Sequence, residues 1–388
     1  MSVVGYCTNV HAGATLTQTL AALDRHSTAV RQLVHPVGLM PVGLWLSARS
    51  VHEIREDPDG TARLRDWLFA RGLVVFTLNG FPYGDFHAGR GKKAVYEPHW
   101  GDVRRALYTM SLADILADLL PDDSLAPDIA GEGSISTLPL GWRSTFTRDG
   151  CGASVGLACA QIEQVARHLK RLEESRGVCI HLDLEPEPGC ALDRAHDVVA
   201  FFDQCVRPSA ELADPRRYVR VCHDICHSAV MFEPQADALE TYRRAGIRIG
   251  KVQVSSALTC DGSERGFREL RNFDEPKYLH QTCVLDGAGA VHFYEDLDRA
   301  FDEAPVGIWR VHFHVPVDRE SIGALGTTSH EIAACFANIV QGDGIRHYEV
   351  ETYAWNALPV DHRRDSLAHG IADEIIWTKA QLHAAGIR

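Results

Sequence analysis

The sequence predicts an α/β protein, a (β/α)8 TIM barrel occupying residues 1–388 as one domain, with long insertions after strands 3 and 7. Three observations lead there. Short runs rich in Val, Ile and Leu alternate with longer stretches of helical spacing, which implies a parallel sheet with helices outside. Eight such units favour closure into a barrel over an open, doubly wound sheet. The first strand is followed by YCTNVHAG, with one glycine, so the G-x-G-x-x-G of a dinucleotide-binding sheet is absent.

The strands are expected at 3–10, 42–46, 73–78, 134–138, 178–185, 218–224, 247–254 and 347–353. Helical spacing marks 15–33, 103–119, 154–172 and 191–205 between them, then 328–340, and 361–385 at the end. A ninth strand-like run, VHFHV at 311–315, is assigned to an insertion over 259–326 that lacks a helical pattern except at 296–303. A second insertion, 80–101, follows strand three. In a barrel both lie on the C-terminal face, where a substrate would be covered.

Composition narrows the partners. The net charge of −13, with a pI near 5.8, repels polyanions, so neither nucleic acid nor an anionic membrane is expected. No apolar run approaches the roughly 20 residues that span a bilayer, and the N-terminus lacks a signal-peptide pattern. Eleven cysteines, an odd and scattered set, suggest a reducing compartment instead of a disulfide scaffold. A cytoplasmic protein is expected, with a homodimer left open as its assembly.

The chemistry lies at strand ends. In the run 178–185, which leads into EPEPG, Ile180, Leu182 and Leu184 share one face, while Cys179, His181, Asp183 and Glu185 point into the barrel. The same period-two reading turns Asp224, Gln253, Glu349 and Glu351 inward. Glu185, Asp224, Gln253 and Glu351 thus gather oxygen donors at one rim, a set suited to a labile divalent ion: Mg, Mn or Co, with Zn an alternative. His227, one helical turn past Asp224, is a second ligand or orients a substrate oxygen. His312 and His314 share one face of VHFHV, followed by Asp318 and Arg319, and are candidate substrate or second-metal contacts. Weaker rim candidates are Asn9, His11, Trp45, Asn79, Tyr83, His87, His99, Trp142 and Trp355, with Arg90, Lys92 and Lys93 as anion binders. Cys222, His223 and Cys226 lack a partner C-x-x-C for a structural zinc site.

The run LDLEP, then HDICH, a strand with Gln, then EVETY resembles the xylose-isomerase-like TIM barrels, a group of sugar isomerases, ketose 3-epimerases, inosose-processing enzymes and endonuclease IV. The resemblance implies a metal on Glu185, Asp224, Gln253 and Glu351; HFHVPVDR resembles the segment that supplies a histidine ligand in ketose epimerases, which would make His314 that ligand instead. More narrowly, YCTNVHAG, TLNGFPYGDFH, YEPHWGDVRRALYT and FHVPVD…LGTTS resemble the EboE family of metabolite-traffic proteins over most of the chain.

The leading expectation is a metal-dependent isomerase or epimerase of a small polyhydroxylated metabolite, sugar- or cyclitol-like. Glu185 and Glu351 would be base and acid, and His227 and His314 would hold substrate oxygens, with His312, Asn79, His87, Trp45, Trp355 and Arg319 as further substrate contacts. The alternatives are a metal-dependent hydrolase or phosphodiesterase of the endonuclease IV type, or a barrel that binds a metabolite without turnover.

Overall fold

The structure is a computed structural model that describes residues 2–11, 13–84, 92–147, 153–274, 278–353, 355, 358 and 362–387. Its strands, in chain order, are β1 (Val3–Tyr6), β2 (Met40–Trp45), β3 (Leu73–Asn79), β4 (Glu132–Thr137), β5 (Cys179–Leu184), β6 (Val219–Asp224) and β7 (Ile249–Val254). Then come β8 (Leu258–Cys260), β9 (Thr282–Leu285), β10 (Val291–Tyr294), β11 (Ile308–Val311), β12 (Ser321–Ile322), β13 (Leu325–Thr327) and β14 (His347–Val350).

Eight of these form one parallel sheet in the order β1-β14-β7-β6-β5-β4-β3-β2. A parallel bridge from Cys7 to Gly43 brings the two edges together. The protein is a (β/α)8 barrel. Period two explains the two faces of each strand. Ile180, Leu182 and Leu184 are fully buried under the helix Ala153–Arg176, whose Val165 and Leu169 are also buried. The inward positions are polar instead: Thr77, Asn79, Ser134, Ser136, His181, Asp183, Lys251, His347 and Glu349 fill the barrel.

Two glycines make room for that interior. A Cβ on Gly43 would fall on the Glu349 carboxylate, and one on Gly250 would fall on Asp183 and His181. Strand glycines at such points mark close approach by a neighbouring group.

The insertion after β7 differs from the expected loop. It is a six-stranded antiparallel sheet, ordered β10-β9-β11-β8-β13-β12, over its own core of Leu258, Phe273, Val284, Leu297, Trp309 and Val311. The strands are two to four residues long, too short for a clear alternation in sequence. The short helix expected at 296–303 is present as Leu297–Glu303, with the Asp296 carboxylate accepting from Leu297 N–H. The expected strand at 311–315 ends at Val311; beyond it His312 N–H donates to Gln281 O and Val315 N–H to Ser256 O.

The cysteines also depart from expectation. Cys159 and Cys205 form a disulfide with Cα atoms 5.1 Å apart, joining the helix Ala153–Arg176 to the helix Ala195–Cys205. Those helices pack side by side outside the barrel, a proximity that a separation of 46 residues does not reveal. The other described cysteines are free, and all but Cys179 are buried. Among the described residues no helix is long and apolar enough to cross a membrane.

Candidate metal centre

Parallel pairing brings the strand ends to one rim. Glu185 follows β5 directly and its N–H donates to Thr137 O; Glu351 follows β14 and its N–H donates to Val254 O. Asp224 closes β6 and caps the short helix Ile225–Val230, its carboxylate accepting from His227 N–H (3.0 Å). Gln253 sits between them, in register with Asp224 on one side and Glu349 on the other. All four are buried. One oxygen each from Glu185, Asp224 and Glu351 lie within 4.8 Å of one another.

These donors fit a divalent cation. Asp224 Oδ2, Gln253 Oε1 and Glu351 Oε2 are buried without a hydrogen-bond partner. A buried polar oxygen left unpaired costs about 1–3 kcal/mol, more when it is charged, so three together favour binding a group that the protein itself does not supply. Clustered carboxylates and an amide carbonyl are hard oxygen ligands. Burial, then the charges of Glu351 and Asp224, pushes the Glu185 carboxyl well above its ordinary range. Burial and Asp224 push Glu351 up to about 8. For Asp224, burial raises and His227, His314 and the Ser255 hydroxyl lower, with a net fall.

A second cluster adjoins the first. His227 Nδ1 lies 2.8 Å from Pro186 O, His312 Nδ1 lies 2.7 Å from Gln281 Oε1, and His314 Nδ1 lies 3.0 Å from Glu351 O. A carbonyl oxygen only accepts, so each Nδ1 is the donor and each Nε2 is turned away from that carbonyl. The Nε2 atoms converge: that of His312 is 3.2 Å from that of His227 and 3.1 Å from that of His314. Nitrogens bound tetrahedrally to one zinc ion at about 2.0–2.1 Å are separated by about 3.3 Å. Burial, and the neighbouring imidazoles, hold the His312 pKa well below its ordinary value; burial takes His314 down to about 4. Asp224 Oδ2 stands 3.8 Å from Nε2 of both His227 and His314, which joins the two clusters through one carboxylate.

The support around the histidines includes groups that the sequence reading missed. Glu187 Oε1 accepts from Tyr96 Oη (2.7 Å) and Gln281 Nε2 (2.8 Å), which turns the Gln281 carbonyl toward His312. The Tyr353 ring stacks on His314 with centroids 4.7 Å apart. Glu187 could have been found, since it lies two residues past Glu185 in the same turn; nothing local marks Gln281.

The clusters form the floor of a cavity of about 650 Å³, to which Glu185, Glu187, His227, His312, His314 and Glu351 contribute. Asn9 reaches it and lies 3.4 Å from Glu351 Oε1 through Nδ2. Asn79 also lines it, but its amide is engaged with Glu349, Lys251 and Ser136. Three expected substrate contacts do not face the cavity. Trp45 is buried with Nε1 on Pro82 O (2.9 Å), and Trp355 is buried with Nε1 on Glu374 (3.1 Å). Arg319 lies beside Asp318. The polar tips of both indoles are held by these local partners and so do not reach the site. His11 is paired with the Tyr6 hydroxyl (2.9 Å), and His99 packs on Phe146. His87 and Arg90 lie outside the described residues.

With this geometry in view, comparison with solved structures places the architecture. A xylose isomerase-like TIM barrel protein from Mycobacterium smegmatis in complex with magnesium superposes with a TM-score of 0.51 at 11% identity, over 100% of this chain and 98% of its own. The likeness shows the fold, a (β/α)8 TIM barrel. Two further similar structures are the probable 3-DHS dehydratase AsbF of Bacillus anthracis (TM-score 0.45, 13% identity, 98% of this chain and 99% of its own) and the IOLI protein with a binding zinc atom (TM-score 0.46, 10% identity, 99% of each). The sequence matches no protein-family model and no curated protein.

Proposed function

We propose that the protein is a metal-dependent isomerase or epimerase of a small polyhydroxylated carbonyl compound, sugar- or cyclitol-like. The observation that carries this reading is the triad Glu185, Asp224 and Glu351, whose oxygens gather within 4.8 Å with two of them and Gln253 Oε1 unpartnered. When bound, a divalent ion (Mn, Mg, Co or Zn) on Glu185, Asp224, Gln253 and Glu351 supplies a Lewis acid for adjacent hydroxyl and carbonyl oxygens.

The chain's own groups do the proton work. Glu185 and Glu351 both face the cavity and come from strands separated by β6 and β7, so they reach a bound molecule from different directions. One takes the proton from the carbon beside the carbonyl, and the other returns a proton to the neighbouring carbon or to the opposite face. His227 and His314, with Nδ1 fixed on carbonyls, orient substrate oxygens. The EboE-like motifs support a place for the reaction in secondary-metabolite biosynthesis or traffic.

Elemental analysis of wild type beside Glu185→Gln, paired with deuterium exchange into sugars and inososes followed by NMR, tests the reading. About one divalent ion per chain, lost in the variant together with exchange, is the expected result. No metal even after reconstitution would end it.

One observation favours a second reading. The three converging Nε2 atoms of His227, His312 and His314 offer a nitrogen-rich site beside the carboxylates, as a multi-zinc hydrolase or phosphodiesterase would use to activate water. Two or three zinc ions per chain would favour it, with the acidic net charge arguing against DNA as substrate.

A further inference from the structure

The cavity has two unlike ends. Its floor is the carboxylate and histidine cluster. The rest of its wall comes largely from the two insertions, which contribute Phe81, Pro82, Tyr83, Val95, Tyr96 and Leu279. Two polar groups at this end are already engaged. Tyr96 donates its hydroxyl proton to Glu187 (2.7 Å) and presents its ring edge to Phe81, centroids 5.9 Å apart. Pro82 O accepts from Trp45 Nε1 (2.9 Å). Phe81, Pro82, Val95 and Leu279 present hydrocarbon to the cavity here.

Charge is engaged there too. Among the described residues, the two cations in the lining are paired: Arg49 Nε with Glu53 (2.9 Å) and Lys92 Nζ with Asp296 (2.6 Å). The second of these ties the loop after β3 to the insertion after β7, and Lys93 with Glu295 (2.7 Å) repeats the tie beside it. Among the described residues, a phosphate at this end would find no uncommitted cation to receive it. A volume of about 650 Å³ falls in the range of roughly 300–1,000 Å³ typical of sites for drug-sized ligands. A polyol able to use the floor would leave the apolar wall wet.

We infer that the substrate is a conjugate: a polyhydroxylated head bound at the carboxylate end, carrying an uncharged aryl or alkyl group that lies against Phe81, Val95 and Leu279. The inference rests on the polyol reading of the floor. It assigns the two insertions the selection of the apolar group, and it separates this site from one built for free sugars or sugar phosphates.

Calorimetric titration of the full-length, manganese-loaded protein tests it with two heads, D-fructose and scyllo-inosose. Each is presented free, as a mono-O-benzyl ether and as a monophosphate. The benzyl ether of at least one head should bind at least tenfold more tightly than its parent, a difference of about 1.4 kcal/mol. Val95→Asn and Leu279→Asn, two independent changes on opposite insertions, should each reduce that advantage at least threefold. Equal affinity of ether and parent, tighter binding of the phosphate, or an advantage untouched by both variants would overturn the inference. Benzyl ethers that bind equally well to wild type, to Glu185→Gln and to the metal-free protein would sink the polyol reading while leaving the apolar wall. Failure of all six probes to bind would count against both.

Discussion

Lys251 Nζ lies 2.5 Å from Glu349 Oε2 in the middle of the barrel, with both side chains fully buried. Asn79 ties the pair together, donating through Nδ2 to Glu349 Oε1 (3.0 Å) and accepting from Lys251 through Oδ1 (3.0 Å). The lysine also lowers the carboxyl pKa values of Glu185 and Glu351, partly offsetting the burial and like charge that raise them. Removing one partner leaves the other as an uncompensated buried charge, which costs about 3–5 kcal/mol. Lys251→Met should therefore lose about that much in urea denaturation, and Lys251→Met with Glu349→Leu should regain most of it. A single variant as stable as wild type would show that the pair is not desolvated.

The same carboxylate restricts β2. Gly43 has no side chain where a Cβ would overlap Glu349, and Glu349 is held by Lys251 and Asn79. Gly43→Ala should destabilise by about 1–3 kcal/mol, the usual range for overpacking, in chemical denaturation. Because the crowding is with one side chain, Gly43→Ala combined with Glu349→Ala should show coupling of at least ~0.5 kcal/mol in a double-mutant cycle.

Metal and pH should act together. In the metal-free protein Glu351, and likewise Glu374, have carboxyl pKa values of about 8, against an ordinary value of 4.5, with burial as the first cause. A carboxyl with a raised folded pKa contributes stability below about pH 4.5 that is lost as pH rises toward 8. The melting temperature in EDTA should fall from about pH 6.5 to 8, since below pH 6.5 the lowered His312 and His314 add stability as pH rises and oppose the carboxyls. Added Mn²⁺ binds the ionised carboxylates, so its stabilisation should grow with pH and reach about 2.7 kcal/mol at a hundredfold excess over Kd. A metal-free melting temperature that climbs from about pH 6.5 to 8 would contradict the assignment.

Glu374 has a second role, in holding the rim. From the helix Leu367–Ala384, its Oε1 accepts from Thr352 Oγ1 (2.6 Å) and Val317 N (3.0 Å), and its Oε2 accepts from Trp355 Nε1 (3.1 Å). Thr352 follows Glu351, and Val317 lies three residues past His314, so one carboxylate positions both arms of the site. Glu374→Gln sets an NH₂ against one donor and should cost about 1–3 kcal/mol. Manganese affinity should fall with it, read by calorimetry. Unchanged affinity at reduced stability would confine Glu374 to a structural role.

Much of the rim was legible in advance, because inward and outward positions of a strand alternate regardless of what lies across the barrel. Glu185, Asp224, Gln253 and Glu351 were readable on that ground, and the structure gathers the three carboxylates with Gln253 in register between them. Aromatic residues were harder. Trp45 and Trp355 lie near the rim in sequence, but an indole near a rim packs inward or outward according to which acceptor is closest, and theirs are Pro82 O and Glu374. The antiparallel sheet of the insertion escaped notice because its strands are too short for a periodic signal.

By itself the sequence determined the barrel, its eight alternating units and the carboxylates at the strand ends, since each follows from spacings of two to four residues along one segment. Only the tertiary structure decided the rest. His227 meets His312 across 85 residues, Gln281 meets His312 across 31, and Cys159 meets Cys205 across 46. Such meetings depend on how whole elements pack, and on insertions folding back over the rim, which no local pattern encodes.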